Sequence, residues 1–440
     1  MTELHQRAGD EMSGWFWQND TLYARRRLTA ASFDPTGAGK VFTSYWGSQD
    51  AQISVQRRNW HISNLTLRYC GAGTAANGHA ISIGTTGGVT GAGTTVDSCR
   101  FYGNTGSAVY APGWAGGARG DSVWVLRSLF DGLNIGRMAY QAAKTRLEEN
   151  SGLVSVRGRR PIIWNNTFQN LPNGLNVGDG TTTPGDTNMA YCGTIINNVF
   201  RYISDDAIEL DSNYGINLLV MNNNARYVLS GISCAPIFSG PTFILFNVVS
   251  QYGFAGNGRG LKIGATNGYG KVLFWNNTIT TSGTSTSHGV EFVGGIAQGL
   301  SIQNNVITTA GTSAAYVFNF AALNDSTNNG TNYNRTWTSA GTNSFANWNT
   351  KNKTFALLRS APGWEKQGSN VHFFADTSRA NYALTLHAAA RRISGVDTDY
   401  QGIRYIGTGP DAGAIMFGWP RRGVPAVGRA ARGRQYKELE

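Results

Sequence analysis

Apolar residues along this chain alternate with polar ones in short triplets, apolar–X–apolar, and the triplets return at a steady interval. The set is Ile81-Ser82-Ile83, Val109-Tyr110-Ala111, Leu133-Asn134-Ile135, Leu175-Asn176-Val177 and Ile208-Glu209-Leu210, then Ile232-Ser233-Cys234, Leu261-Lys262-Ile263, Val290-Glu291-Phe292 and Val317-Phe318-Asn319. A period of two predicts strands whose middle residue points away from the core. About ten residues before many of them lies a second signature, paired asparagines followed by an apolar residue: IIWNNTF at Asn165-Asn166, TIINNVF at Asn197-Asn198, LFWNNTI at Asn276-Asn277 and LSIQNNVI at Asn304-Asn305. Weaker copies lie at Asn64, Cys99, Ser128, Asn224 and Asn247. A repeat of about thirty residues is too short to bury its own apolar face and must stack on its neighbours. The pattern therefore predicts an all-β solenoid of about nine to ten coils, with asparagines of successive coils hydrogen-bonded in a ladder.

Interruptions of the period predict the remaining organisation. Residues 1–50, with TLYARRRL, are expected to form an N-terminal cap, 51–340 the coil, 341–418 a C-terminal cap and 419–440 a basic, disordered tail. Residues 137–152 contain good helix formers and predict a short helical insertion. The Gly-rich stretches 112–121 and 179–188 predict long loops.

Composition adds an electrostatic bias. Only 14% of the 440 residues are charged, yet the formal net charge is +11, which suits an anionic partner or simple solubility. No nucleic-acid motif, nucleotide-binding glycine loop or zinc spacing is present, so nucleic acid is not an expected partner. No apolar run is long enough to span a membrane and no signal peptide is legible. The four cysteines, Cys70, Cys99, Cys192 and Cys234, occupy different repeat positions and are expected as buried free thiols.

Stacking turns the triplets into columns, with coils about 4.8 Å apart. The outward column reads Ser82, Tyr110, Asn134, Asn176, Glu209, Ser233, Lys262, Glu291 and Phe318. Three residues earlier runs His79, Ser107, Asp131, Asn173, Asp206, Ser230, Arg259 and His288. Charge concentrates at SDDAIELD, where Asp205, Asp206, Glu209 and Asp211 repel one another unless a cation or basic neighbours compensate. Three readings are open: a Ca²⁺ site, a catalytic carboxylate pair, and an ion-pair ladder to Lys262 and Arg259. By rung counting Lys262 lies about 10 Å from Glu209 and about 5 Å from Glu291. Tyr110, Trp114, Trp124 and Phe318 are candidates for stacking on sugars, although Trp124 sits in an apolar strand and is expected in the core. His79 is expected as a solvated turn residue.

The asparagine-pair coils, SDDAIELD, the LSGISCAP segment and the late GTGPDAGAIMFG together resemble bacterial right-handed parallel β-helix proteins of the pectate-lyase-like superfamily, over roughly residues 50–418. The resemblance implies a carbohydrate-active protein, secreted or periplasmic, with a polysaccharide partner; no membrane partner is expected, and a monomer is expected with an oligomer as the open alternative. For a lyase it implies β-elimination from a uronic acid. Asp206, Glu209 and Asp211 would hold Ca²⁺, and Lys262, in RGLKIG, would be the base, with its pKa lowered by Arg259. Arg259 or His288 would neutralise or protonate beside Glu291, while Asn173, Asn176, Tyr110 and Ser233 would contact the sugar. For an inverting glycoside hydrolase it implies catalysis by the Asp205, Asp206, Glu209 and Asp211 carboxylates, and for a tailspike-like adhesin, binding alone. Removal of Lys262, as an outward residue, is expected to leave folding intact.

Overall fold

The computed structural model describes strands Ser13–Gln18, Thr21–Arg26 and Phe42–Thr43, most of residues 51–133 and 151–178, nearly all of 192–253, most of 257–370, and strands Phe374–Asp376 and Asn381–Leu384. The expected loop 179–188, the tail 419–440 and nearly all of the 137–152 insertion lie outside these residues.

Each coil contributes three short strands, and equivalent strands of successive coils pair in parallel. One lane is a ten-stranded sheet running from His61–Ser63 to Gly330–Asn332. The next runs from Phe42–Thr43 to Ser369–Asn370, and the third from Ile53–Val55 to Ala346–Trp348. In two coils the second and third lanes belong to one bent strand, Val199–Glu209 and Asn224–Cys234, with the register breaking between Ile203 and Asp206. This is a parallel β-helix. The stack continues past residue 340, where the short helix Phe355–Ser360 sets Phe355 against Phe345 and buries Leu358.

Alternation explains the core. Inward residues of neighbouring coils lie over one another, as in the stacked rings of Phe101, Phe130, Phe168 and Phe200, whose centroids are 4.8, 4.6 and 5.0 Å apart. Small residues before the third-lane strands are required by close packing, since a Cβ on Gly231 would lie 2.6 Å from the Gly260 carbonyl oxygen.

The asparagine pair divides two tasks between its members. The first sits at the corner between lanes with φ near +57° (Asn165, Asn197, Asn222, Asn276 and Asn304), a conformation asparagine tolerates better than most residues. The second is buried and builds the ladder. Asn166, Asn198, Asn223, Asn247, Asn277 and Asn305 each donate their backbone N–H and side-chain amide to the Oδ1 of the next asparagine, ending at Asn334. Asn334 in turn donates to the carboxylate of Glu365, which is fully buried. In the MNNNA segment the ladder member is Asn223 rather than Asn224, which begins the next strand. At the weak copy ISNL, Asn64 takes the corner (φ 59°).

The register corrects two triplets. The third-lane place expected for Leu133-Asn134-Ile135, of which Asn134 and Ile135 lie outside the described residues, belongs to Ser151–Ser155, with Leu153 paired to Val109 and Leu175, so the strand already includes the last two residues of the expected insertion. Leu133 is 38% exposed at φ 61°, and Asp131 lies in the second lane against Tyr102 and Gln169. In the last triplet the alignment slips by one residue. Phe318 pairs with Val290 and is buried, so Asn319 is the outward partner of Glu291; a one-residue slip reverses the face. Trp124, expected in the core, is 42% exposed, because the inward residue of its strand is Val125. His79, expected to be solvated, is buried against the ring of Tyr110, with centroids 4.0 Å apart. All four cysteines are free; Cys70, Cys99 and Cys234 are buried and Cys192 is half-buried.

Candidate active site

The outward columns come together as the alternation requires. Asn176, Glu209, Ser233, Lys262, Glu291 and Asn319 are successive Cα partners on the third lane, as are Asp206, Ser230, Arg259 and His288. Tyr110 lies on the same column three rungs before Glu209.

The carboxylate cluster forms where the bent strand enters the third lane, with Asp206 just after the register break and Glu209 three residues later. Ligand oxygens of Asp206, Glu209 and Asp211 all lie within 4.8 Å of one another. Asp205 is half-buried, anchored by its N–H to the Pro172 carbonyl at 2.8 Å, and lies outside that trio. The neighbouring rungs brace the trio. Asn173 donates Nδ2–H to Glu209 Oε2 at 3.0 Å and accepts the Asp206 N–H on Oδ1 at 3.1 Å. Ser233 Oγ and the Ala235 N–H both donate to Asp211 Oδ1. Asn176 turns back to accept the Gly178 N–H. Asn173 and Ser233, expected to contact a sugar, thus serve first as supports of the carboxylates.

Lys262 reaches across the Ser233 rung to these acids. Its Nζ is 3.0 Å from Asp206 Oδ2 and 3.5 Å from Asp211 Oδ2. Burial alone would lower its pKa, but Asp206 and Asp211 more than reverse this and hold the amine protonated. The expected direction is therefore overturned, and Arg259 is engaged elsewhere, its Nε donating to Glu291 Oε2. The Asp211 carboxyl is pushed above its ordinary range by burial, with repulsion from Asp206 adding to it. Asp206 is 3% exposed, and its other oxygen, Oδ1, has no hydrogen-bond partner among the described residues.

A second cluster surrounds Glu291. Besides Arg259 it accepts Nδ2–H of Asn319 at 2.7 Å, and His288 Nε2 lies 3.6 Å from its Oε1. Burial lowers the His288 pKa, and His288 Nδ1 accepts the Tyr316 N–H at 3.2 Å. A neutral imidazole accepting at Nδ1 carries its proton on Nε2. Nδ1 is thus taken by the neighbouring coil, and the Nε2–H stands beside Glu291. Asn319 escaped the sequence reading, although Phe318-Asn319-Phe320 is itself apolar–polar–apolar.

Three carboxylates, with one buried orphan oxygen among them, form a hard-oxygen donor set that fits a divalent cation such as Ca²⁺. In the structure the Lys262 ammonium is the internal cation of that set.

No family model matches the chain, and no curated protein matches it. Among solved structures, the crystal structure of pectate lyase Pel9A is similar to it, at 13% identity over 86% of each chain with a TM-score of 0.42. Neither figure bears on the site, which stands on its own geometry. No helix among the described residues is long and apolar enough to cross a membrane.

Proposed function

We infer that the outward rungs from Asn176 to Glu291 form the active site of an enzyme that cleaves an anionic, uronic-acid-containing polysaccharide by β-elimination. The observation that carries this reading is the placement of Lys262 and Arg259 on the rung two coils beyond the Asp206, Glu209 and Asp211 carboxylates, all on one outward face. An acidic substrate needs its carboxylate neutralised before the adjacent C–H can lose a proton, and both instruments of neutralisation stand here. Asp206, Glu209 and Asp211 would hold Ca²⁺, which when bound supplies positive charge to the substrate carboxylate. Arg259 is committed to Glu291 through Nε alone; among the described residues its terminal nitrogens have no partner, and they would grip a second oxyanion in fork geometry.

Lys262 is the base of this reading. Its protonated state depends on Asp206 and Asp211, whereas burial opposes it. Were those carboxylates to hold a cation, the Lys262 ammonium would lose its stabilising partners, give its proton to water and, as the free amine, accept the one on the sugar C5. The C4–O bond then breaks, a C4=C5 double bond forms and the departing oxygen is protonated by water. Glu291, held by Asn319, fixes the guanidinium in place through Arg259 Nε.

The test is an ultraviolet assay on pectate, alginate, ulvan and glycosaminoglycans, with Ca²⁺ and with chelator. Rising near-ultraviolet absorbance that chelator abolishes is the expected result. A flat trace on every polymer, with no new reducing ends, would overturn the enzyme reading. One observation favours a second reading: the raised pKa of Asp211 beside two further carboxylates suits a general acid. Hydrolysis would then give new reducing ends without absorbance.

A further inference from the structure

The second lane carries an unexpected juxtaposition next to the active-site face. Arg201 and Arg226 are Cα partners on adjacent parallel strands, the first exposed and the second half-buried, so two arginines occupy successive rungs, whose backbones are about 4.8 Å apart. Like charges placed directly opposite are unfavourable without a counter-charge. Among the described residues no carboxylate pairs with Arg201, which is exposed. The nearest acid on the column is Asp131, two rungs away, and its carboxylate is taken by Gln169 Nε2, Asn170 Nδ2 and the Leu133 N–H.

Beside each arginine stands a tyrosine in a conformation that tyrosine disfavours. Tyr202 and Tyr227 have φ of 54° and 55° at the corner where the preceding coil has Asn170 at 56°. Left-handed backbone is unusual for a bulky residue and marks positions kept for another purpose. The strained corners bring the two rings into a parallel stack, centroids 5.1 Å apart and 2° from coplanar, with the Arg226 guanidinium 4.6 Å from the Tyr227 ring. The result is two arginines on successive rungs, whose spacing is close to the length of one sugar ring, with the Arg226 guanidinium laid on the aromatic wall and its Nη2 donating to the Tyr227 hydroxyl at 2.9 Å.

We propose that Arg201, Arg226, Tyr202 and Tyr227 form a second binding site, an anchor for consecutive carboxylates of an anionic polysaccharide. The proposal rests on the reading of the substrate as a polyuronate and adds a place where the polymer is held outside the reacting centre. Arg201 precedes Asp206 by five residues on the same bent strand, at most roughly 16 Å away. One polymer chain can therefore occupy both sites, and the anchor raises its effective concentration at the carboxylate cluster.

The experiment is affinity electrophoresis of the full chain through gels containing polygalacturonate, alginate or neutral dextran, at low and high salt, alongside the cleavage assay. Arg201→Ala/Arg226→Ala is expected to bind the polyuronates about tenfold more weakly at low salt, with the difference closing at high salt and an unchanged melting temperature. Arg201→Lys/Arg226→Lys is expected to recover part of the retention. Unchanged retention of the alanine variant, no wild-type retention by either polyuronate, or equal arginine-dependent retention by duplex DNA would each overturn the proposal. Failure of the cleavage reading is separately visible: arginine-dependent retention without any cleavage would leave the anchor standing.

Discussion

Lys262 carries the largest consequences of any single side chain. Asp206 is almost completely buried and relies on the Lys262 ammonium, so removing the lysine leaves a desolvated carboxylate uncompensated. The expectation that its loss spares the fold therefore gives way to a double effect. Lys262→Met is expected to lower turnover by about a thousandfold and to destabilise the protein by about 3 kcal/mol, checked by the ultraviolet assay and by denaturant titration. Ca²⁺ should raise the melting temperature of this variant more than that of the wild type, because the carboxylates then lack their internal cation; equal shifts would argue against cation binding there. The register of these residues was legible, since period-two alternation suffices to align Glu209, Ser233, Lys262 and Glu291. The protonation state was not: it depends on a long side chain reaching diagonally over Ser233, which no spacing rule contains. His288 is similar, its tautomer being decided by a backbone N–H from Tyr316, a coil away.

Among elements, the asparagine ladder does most to fix the coil. Asn277 accepts the N–H and Nδ2–H of Asn247 and donates to Ile244, Trp275 and Asn305. Asn277→Ala would orphan several buried groups at once and is expected to cost about 3 kcal/mol, measurable by urea unfolding. At the ladder's end, burial pushes the Glu365 carboxyl up to about 7, against the lowering effect of its Asn334 hydrogen bonds. Because the folded state holds this proton more tightly than the unfolded chain, the contribution is fully present at low pH. It is lost as pH rises from about 4.5 towards 7, amounting to at most about 3 kcal/mol. Glu365→Gln should remove that dependence, so the wild-type-minus-variant stability difference should fall between pH 5 and pH 8; a flat difference would reject it. The ladder was foreseeable from the paired asparagines, but its acidic terminus was not, because Glu365 belongs to no repeat. The coil between Val109 and Leu175 was misplaced for a related reason: the real rung, Leu153-Val154-Ser155, has apolar Val154 opposite Tyr110 and Asn176 in the outward column and polar Ser155 opposite Ala111.

Over the whole molecule, the ends of the stack answer pH in opposite directions. Near the N-terminal end, burial lowers the His79 pKa to about 4. The unfolded chain binds that proton more readily, so stability is full above about 6.5 and is lost as pH falls towards 4. Glu365 behaves in the reverse sense. Since coils contact only their neighbours, hydrogen exchange should show protection decreasing around His79 and increasing around Asn334 as pH falls from 7 to 5; parallel changes at both ends would refute the assignment. The ladder has one more consequence. Every amide in it points the same way, each coil offering donors to the next and an acceptor to the last, so any interior coil is exchangeable with a duplicate of itself. A coil copied between Asn247 and Asn277 would find its donors and acceptor already waiting, whereas one added beyond Glu365 would meet a group that cannot pass the pattern on. The molecule can lengthen by duplication from within, and its far end is where growth stops.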